Sequence, residues 1–346
     1  MHAQNRLGYQ TVEYKNKPLI IASASAVGPR EGRGPLGDQF DLISQTAEFG
    51  QESYEKAEAA LLREACKICL AKANIGEKSV QAMLGGDLLN QIMASSLAAR
   101  SLKVPFLGLY GACSTMAESL LVGGMLCDGG YASPLMCSAG SHYATAERQY
   151  RFPLEYGCQR TPAAQWTVTG AGVVMLSLPE ENETRTVPRL VRGCIGRVVD
   201  LGIADANNMG AAMAPAAAAT LCAYFDDTGD KPEHFDRIIT GDLGMVGSEL
   251  LLEWTEKLGH TIPREKMMDC GLTIFYPEQD SHAGGSGCGC AASVLSAHIL
   301  PKLRQGEWRR VLFMATGALL SPTTSQQGET IPGIAHAVVI EGGMGR

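Results

Sequence analysis

Basic residues never gather along this 346-residue chain. Lys and Arg number 29 against 36 Asp and Glu, for a net charge of −7. With no basic tract, nucleic acid is not an expected partner. Aromatic residues make up only 6%. No run approaches the roughly 18 uninterrupted apolar residues of a membrane span, and Met1 to Lys17 is polar. Neither a transmembrane segment nor a signal peptide is therefore expected, and any membrane role would be peripheral. Paired metal-binding cysteines are also missing. The eleven cysteines are odd in number, scattered and set in apolar runs, which points to reduced thiols in a cytoplasm-like compartment. Cys66 and Cys69 have a zinc-like spacing without a second pair, and they fall inside a helical pattern. Cys288 and Cys290 flank one glycine and read as tight packing. No metal site is expected. The Gly284-Gly-Ser-Gly run lacks the strand and later acid of a dinucleotide fingerprint.

What the chain has is apolar mass and repetition. Hydrophobic residues reach 45%, and there are 40 glycines, a composition suited to closely packed α/β layers. Leu135-Met-Cys-Ser-Ala-Gly-Ser-His matches Leu312-Phe-Met-Ala-Thr-Gly-Ala-Leu. Val168-Thr-Gly-Ala-Gly-Val-Val-Met-Leu matches Gly333-Ile-Ala-His-Ala-Val-Val-Ile, and Met83-Leu-Gly-Gly-Asp-Leu-Leu matches Ile238-Ile-Thr-Gly-Asp-Leu-Gly. The pieces keep their order, which predicts an internal duplication. The seam falls near Glu180–Pro188, with Glu180-Glu-Asn-Glu-Thr-Arg as linker, giving halves 1–185 and 186–346. Apolar spacing predicts helices over Glu52 to Ala73, Asn207 to Tyr224 and Cys290 to Leu303. Strands alternating with helices imply an α/β fold with buried sheets.

Cys113 is the most informative position. Pro105-Phe-Leu-Gly-Leu-Tyr reads as a buried strand, Gly111-Ala as a turn, and Met116, Leu120, Leu121 and Met125 as the apolar stripe of a helix that Cys113 opens. A cysteine there feels the positive end of the helix dipole, so its pKa is expected to fall. The free N–H groups of the first turn can equally cradle an anion. The position offers either a nucleophile or an anion site.

A duplicated α/β chain with a cysteine opening a buried helix of its first half resembles the thiolase-like superfamily, a duplicated αβαβα layered fold with pseudo-two-fold related halves. Further segments make the resemblance narrower. Ala26-Val-Gly-Pro-Arg-Glu, Gly34-Pro-Leu-Gly, Gly85-Gly-Asp-Leu-Leu-Asn-Gln, Gly111-Ala-Cys-Ser-Thr, Ala144-Thr-Ala-Glu-Arg-Gln, Ala283-Gly-Gly-Ser-Gly-Cys and Ala315-Thr-Gly-Ala-Leu-Leu-Ser-Pro together resemble the stage V sporulation protein AD family of spore-forming bacteria. That resemblance implies a non-catalytic protein that binds dipicolinic acid, or its calcium chelate, on the way into the developing spore. It implies a peripheral place at the spore or forespore inner membrane, beside membrane proteins of the same operon. No cofactor is implied. Homodimers are expected by analogy with the fold.

The catalytic set of the superfamily is incomplete. Where a synthase of this fold carries a histidine after a strand of its second half, this chain has Asp236-Arg-Ile-Ile-Thr-Gly-Asp, with Asp242 in the vicinity. The asparagine loop corresponds to Ala283-Gly-Gly-Ser-Gly, which has none. No cysteine follows Cys290, and His336 lies in that general region without being the same group. The alternative reading is an acyl-thioester condensing enzyme using Cys113, with His282 or His142 as base. For a flat dianionic ligand, donors and cations are needed. Cys113 and Ser114 at the helix start, and the loop Gly140-Ser-His-Tyr-Ala-Thr-Ala-Glu-Arg-Gln-Tyr-Arg with His142, Arg148 and Arg151, are the candidates. Asp87 and Asp242 sit on pseudo-symmetric Gly-Asp-Leu turns and are expected to face one cleft, where they could hold calcium. Each has a plainer reading: core cysteine, solvated arginine, structural histidine or turn-forming aspartate.

Overall fold

The computed structural model describes residues 4–150, 160–180 and 186–343. Ten strands carry the fold: β1 (Leu19–Val27), β2 (Ala82–Gly86), β3 (Phe106–Gly108), β4 (Leu135–Ser141), β5 (Gly170–Ser177), β6 (Arg189–Cys194), β7 (Arg237–Thr240), β8 (Met267–Asp269), β9 (Arg310–Ala318) and β10 (Gly333–Glu341). They hydrogen-bond in the order β8-β7-β9-β10-β6-β1-β5-β4-β2-β3. Read outward from the centre, each half repeats its first, fifth, fourth, second and third strand. Directions repeat as well: β2 runs parallel to β3 and β4, as β7 does to β8 and β9, while β5 and β10 are antiparallel to their neighbours. The three sequence matches fall on β4 with β9, β5 with β10, and β2 with β7. The halves meet where β1 pairs antiparallel with β6 at Leu19 and Arg189. Of the expected linker, residues 181–185 lie outside the described residues.

Strand alternation builds the layers, because successive side chains point to opposite faces. Along β4, Leu135 and Cys137 enter one cluster and Met136 another. Along β9, Val311, Phe313 and Ala315 face the first cluster, and Leu312 and Met314 face a third. The shared cluster is the central layer. It holds Met116 and Leu120 of α3 (Thr115–Asp128) with Ala291, Ala292 and Val294 of the helix Cys288–Val294, which continues through the π-helical turn Leu295–Ile299 into Leu300–Gln305. Outside the strands of the first half lie α1 (Tyr54–Ala73) and α2 (Met93–Leu102); outside those of the second half lie α5 (Met209–Thr228) and α6 (Gly244–Lys257). This is the duplicated α/β/α/β/α layering expected from the repeat.

Local chemistry sets the helix ends. Ser53 accepts from Lys56 N and starts α1 two residues after the expected Glu52, and Asn74 ends it in the left-handed region. Asn208 caps α5, and Gly229 carries it four residues past Tyr224. Gly287 and Gly306, both left-handed, bound the last central helix, so it begins at Cys288 rather than Cys290. Two glycines set the layer spacing. A Cβ on Gly172 of β5 would overlap the Ala292 carbonyl, and one on Gly317 of β9 would overlap the Gly111 carbonyl beneath Cys113. No helix of the described residues is long and apolar enough to cross a membrane.

Leu120 is fully buried in the central layer. Leu120→Ala is expected to lower the unfolding free energy by about 3 kcal/mol, read as a fall in the urea midpoint.

Candidate functional site

The backbone turns sharply between β3 and α3. Ala112 adopts a positive φ of 49°, and the turn Ala112–Ser114 precedes the helix proper. The local hydroxyls stabilise that turn. Ser114 Oγ donates to Gly111 O at 2.7 Å, and Thr115 Oγ1 donates to Ala112 O at 2.7 Å. Cys113 is left on the inner side, 5% exposed, at the floor of a cleft between the halves. The free space within the cleft is small, about 30 Å³. Leu88, Ala146, Met209 and Leu320 form apolar walls, and Glu147, Tyr150, Thr167 and Ser286 supply polar groups. A two-stranded ribbon closes it from behind, pairing Trp166–Thr167 of the first half with Gly285–Ser286 of the second.

Below the cleft, Asp242 is fully buried at the end of β7. Its Oδ1 accepts from Thr316 Oγ1 at 2.9 Å, and its Oδ2 accepts from Ser286 Oγ at 3.0 Å and Gly287 N at 2.9 Å. The Cys113 thiol lies within electrostatic reach of this carboxylate. Burial raises the Asp242 carboxyl above the usual aspartate range, and its donors pull it back. The Cys113 thiol is pushed well above its ordinary value, first by burial and then by the Asp242 charge. The expected lowering at a helix start is therefore reversed. A helix dipole contributes about 2 kcal/mol at most, and here desolvation and a contacting carboxylate both oppose the thiolate.

The segment expected as a loop after β4 is a helix, α4 (Tyr143–Tyr150). Its period puts Ala146, Glu147 and Tyr150 on the cleft face and Thr145 and Arg148 toward α1. Tyr150 OH donates to Leu88 O at 2.5 Å and lies 3.1 Å from Tyr110 OH. Glu147 stands 3.8 Å from Arg160. The Arg160 guanidinium lies 4.7 Å from the Trp166 ring, which stacks on Tyr143 at 3.8 Å.

Of the residues named from sequence, Cys113 lines the cleft and Asp242 reaches it through the Ser286 hydroxyl. The others brace its surroundings. Ser114 belongs to the turn. Arg148 pairs with Glu55 of α1. His142 Nε2 bonds Ala47 O at 2.8 Å, and its Nδ1 accepts from Ala144 N; burial lowers its pKa. Asp87 does not join Asp242 in one cleft: its oxygens accept from Leu89 N and Ser95 N, behind the Leu88 wall. His336 accepts from Gly196 N, and burial pushes it down to about 4. His282 stands 3.5 Å from Asp280. Arg151 lies outside the described residues. Among the described residues, no group of three or more His, Cys, Asp or Glu is arranged to hold a metal ion. Sequence reasoning missed Glu147, Tyr150, Thr167 and Met209 as cleft residues. The 146, 147, 150 spacing was the available signal for the first two.

Known proteins frame this geometry. The family model of stage V sporulation protein AD matches residues 8–341. The stage V sporulation protein AD of Bacillus subtilis (strain 168) is 44% identical over 334 residues, covering 96% of this chain and 97% of that protein. Among solved structures, 3-oxoacyl-[acyl-carrier-protein] synthase III from Aquifex aeolicus VF5 superposes with a TM-score of 0.57 at 15% identity, covering 94% of this chain and 99% of that one. A single-residue variant of Xanthomonas campestris OleA gives 0.63 at 13%, covering 98% of this chain and 100% of that one. At such identities the likeness concerns the fold, which is thiolase-like.

One consequence concerns the thiol. Wild-type Cys113 is expected to resist iodoacetamide near neutral pH. Asp242→Asn, which removes the facing charge, is expected to raise its alkylation rate about tenfold or more, the gain of each unit of lowered thiol pKa. Peptide mass spectrometry of Cys113 against time measures this, and an unchanged rate would contradict the account.

Proposed function

The chain belongs to the stage V sporulation protein AD family, and from that premise we propose that it is a non-catalytic carrier that binds dipicolinic acid as its calcium chelate in the cleft above Cys113, during uptake into the developing spore. The observation that carries this reading is the buried Asp242 carboxylate close to the Cys113 thiol at the floor of a mainly apolar slot. A condensing enzyme needs a partner that stabilises thiolate. A buried carboxylate close to the thiol does the opposite, because its charge and the low-dielectric surroundings both disfavour thiolate. His142 and His282, the alternative bases, are bonded elsewhere.

The chemistry of the slot favours the chelate over the free dianion. Leu88, Ala146, Met209 and Leu320 suit the faces of a flat ring, and Thr167 offers a hydroxyl. Glu147 and Asp242 stand beside and below, and two buried carboxyls repel a dianion unless its charge is neutralised. Calcium carried as cargo supplies that neutralisation. In this reading the protein acts at the forespore inner membrane with membrane proteins of its operon.

Calorimetric titration with dipicolinic acid tests the reading. Saturable binding, tighter with calcium, is expected for the wild type. Ala146→Trp, which fills the slot, is expected to abolish it. Arg148→Ala is expected to hold affinity within about twofold, since an exposed pair such as Arg148–Glu55 contributes little. No binding with or without calcium, together with acyl-CoA labelling of Cys113 and turnover, would establish the condensing-enzyme alternative.

We also propose a homodimer through β3. Among the described residues that strand pairs only with β2, and Leu107 upon it is 50% exposed. A lysine on a sheet edge blocks pairing. Leu107→Lys is expected to convert a dimer into a monomer by light scattering after gel filtration.

A further inference from the structure

The cleft wall formed by α4 is held from behind by α1. One face of α1 presents Tyr54, Glu55 and Glu58 to His142, Arg148 and Thr145. The inner contact differs from the outer ones. Thr145 Oγ1 donates to Glu58 Oε2 at 2.7 Å, and Glu58 is 2% exposed. Its Oε1 is sealed from solvent with no hydrogen-bond partner among the described residues. The groups facing Glu58 are acidic or neutral. From the turn after β2 comes the buried Asp87, which raises the acid further. From the central helix comes the Cys288 thiol, within electrostatic reach. On the α4 side stand Thr145, His142 (held neutral by burial), the Glu147 carboxyl turned to the cleft, and Arg148, engaged at the surface with Glu55. Among the described residues no lysine or arginine forms an ion pair with Glu58. Ionised, it would place a second negative charge beside Asp87 in a dry interface, an expensive arrangement.

We propose that Glu58 is a positioning residue of the ligand cleft: as a neutral acid it seats α4 on α1, and its ionisation loosens α4 and with it the wall of Ala146, Glu147 and Tyr150. The proposal rests on the reading of the cleft as a ligand site. The coupling is short. Thr145 and Ala146 are adjacent on a helix of two turns, so a shift on one face moves the other. Tyr150 bonds Leu88 O, next to Asp87, and ties the same wall to the same buried acids.

Burial holds the Glu58 carboxyl well above the usual glutamate range. The sign of the pH effect follows. Stabilisation by the neutral acid is complete below the unfolded glutamate range. It declines as pH rises toward the value in the folded state, and above that the seat is weakest. Ligand affinity therefore falls on the alkaline side.

Two readouts test this as pH is raised from about 5, just above the ordinary glutamate range, to about 9. One is calorimetric affinity for calcium dipicolinate. The other is amide hydrogen exchange of residues 143–150 in the ligand-free protein, corrected for intrinsic rates. In the wild type, α4 protection and affinity are both expected to fall by about tenfold or more with rising pH, as ionisation titrates in. Glu58→Gln, an uncharged isostere, is expected to flatten both profiles while keeping the affinity seen at low pH. Thr145→Val, which removes the donor to the charged form, is expected to move both losses to higher pH, and it serves if the glutamine variant does not fold. Profiles identical in wild type and Glu58→Gln would overturn the proposal, even with ligand bound. Loss of α4 protection that depends on Glu58, in a protein that binds no dipicolinate at any pH, would keep the positioning role and remove the ligand reading instead.

Discussion

The Asp242 carboxylate gathers Thr316 from β9 and Ser286 and Gly287 from the approach to the last central helix, and it lies close to the Cys113 thiol at the head of α3. The three donors belong to the second half of the chain, and the thiol belongs to the first. Among the described residues no lysine or arginine is hydrogen-bonded to this buried carboxylate, so it needs every donor it has. This fixes where the central helices start, how the ribbon of Trp166–Thr167 and Gly285–Ser286 sits, and how deep the cleft is. It also sets the chemistry of Cys113, since the buried charge close to the thiol opposes its ionisation.

The duplication makes this specialisation visible. Asp87 and Asp242 occupy equivalent turns after β2 and β7, and Cys113 and Cys288 stand at the heads of the two central helices. Their roles have parted. Asp87 accepts from Leu89 N and Ser95 N and closes its own turn. Cys288 donates to Gly140 O at 2.9 Å and is sealed in the core. One member of each pair stayed a structural residue, and the other member came to border the cleft.

The layers were legible in the sequence because they depend on alternation and repetition. Leu135-Met-Cys and Leu312-Phe-Met announce strands buried on both faces, and their matched order announces two halves. The family was legible in motifs spread from Ala26 to Pro322. The site was legible only at its centre. Cys113 is marked by the strand, turn and helix around it, but the direction of its pKa depends on Asp242, which lies 129 residues away in the chain and contacts it only after folding. Gly140 to Arg151 reads as a polar loop because two turns of helix carry too few apolar residues to show a period. Once α4 forms, Arg148 turns to Glu55, and Ala146, Glu147 and Tyr150 take the cleft.

Gly172 and Gly317 bring strand backbone directly against the Ala292 carbonyl and against the turn below Cys113. No side chain stands between to act as a bearing, so sheet and helix cannot slide past each other by swapping rotamers. The centre of the molecule behaves as a rigid chassis. Any motion that reshapes the cleft is left to the thinner outer parts, which move around an unchanged frame.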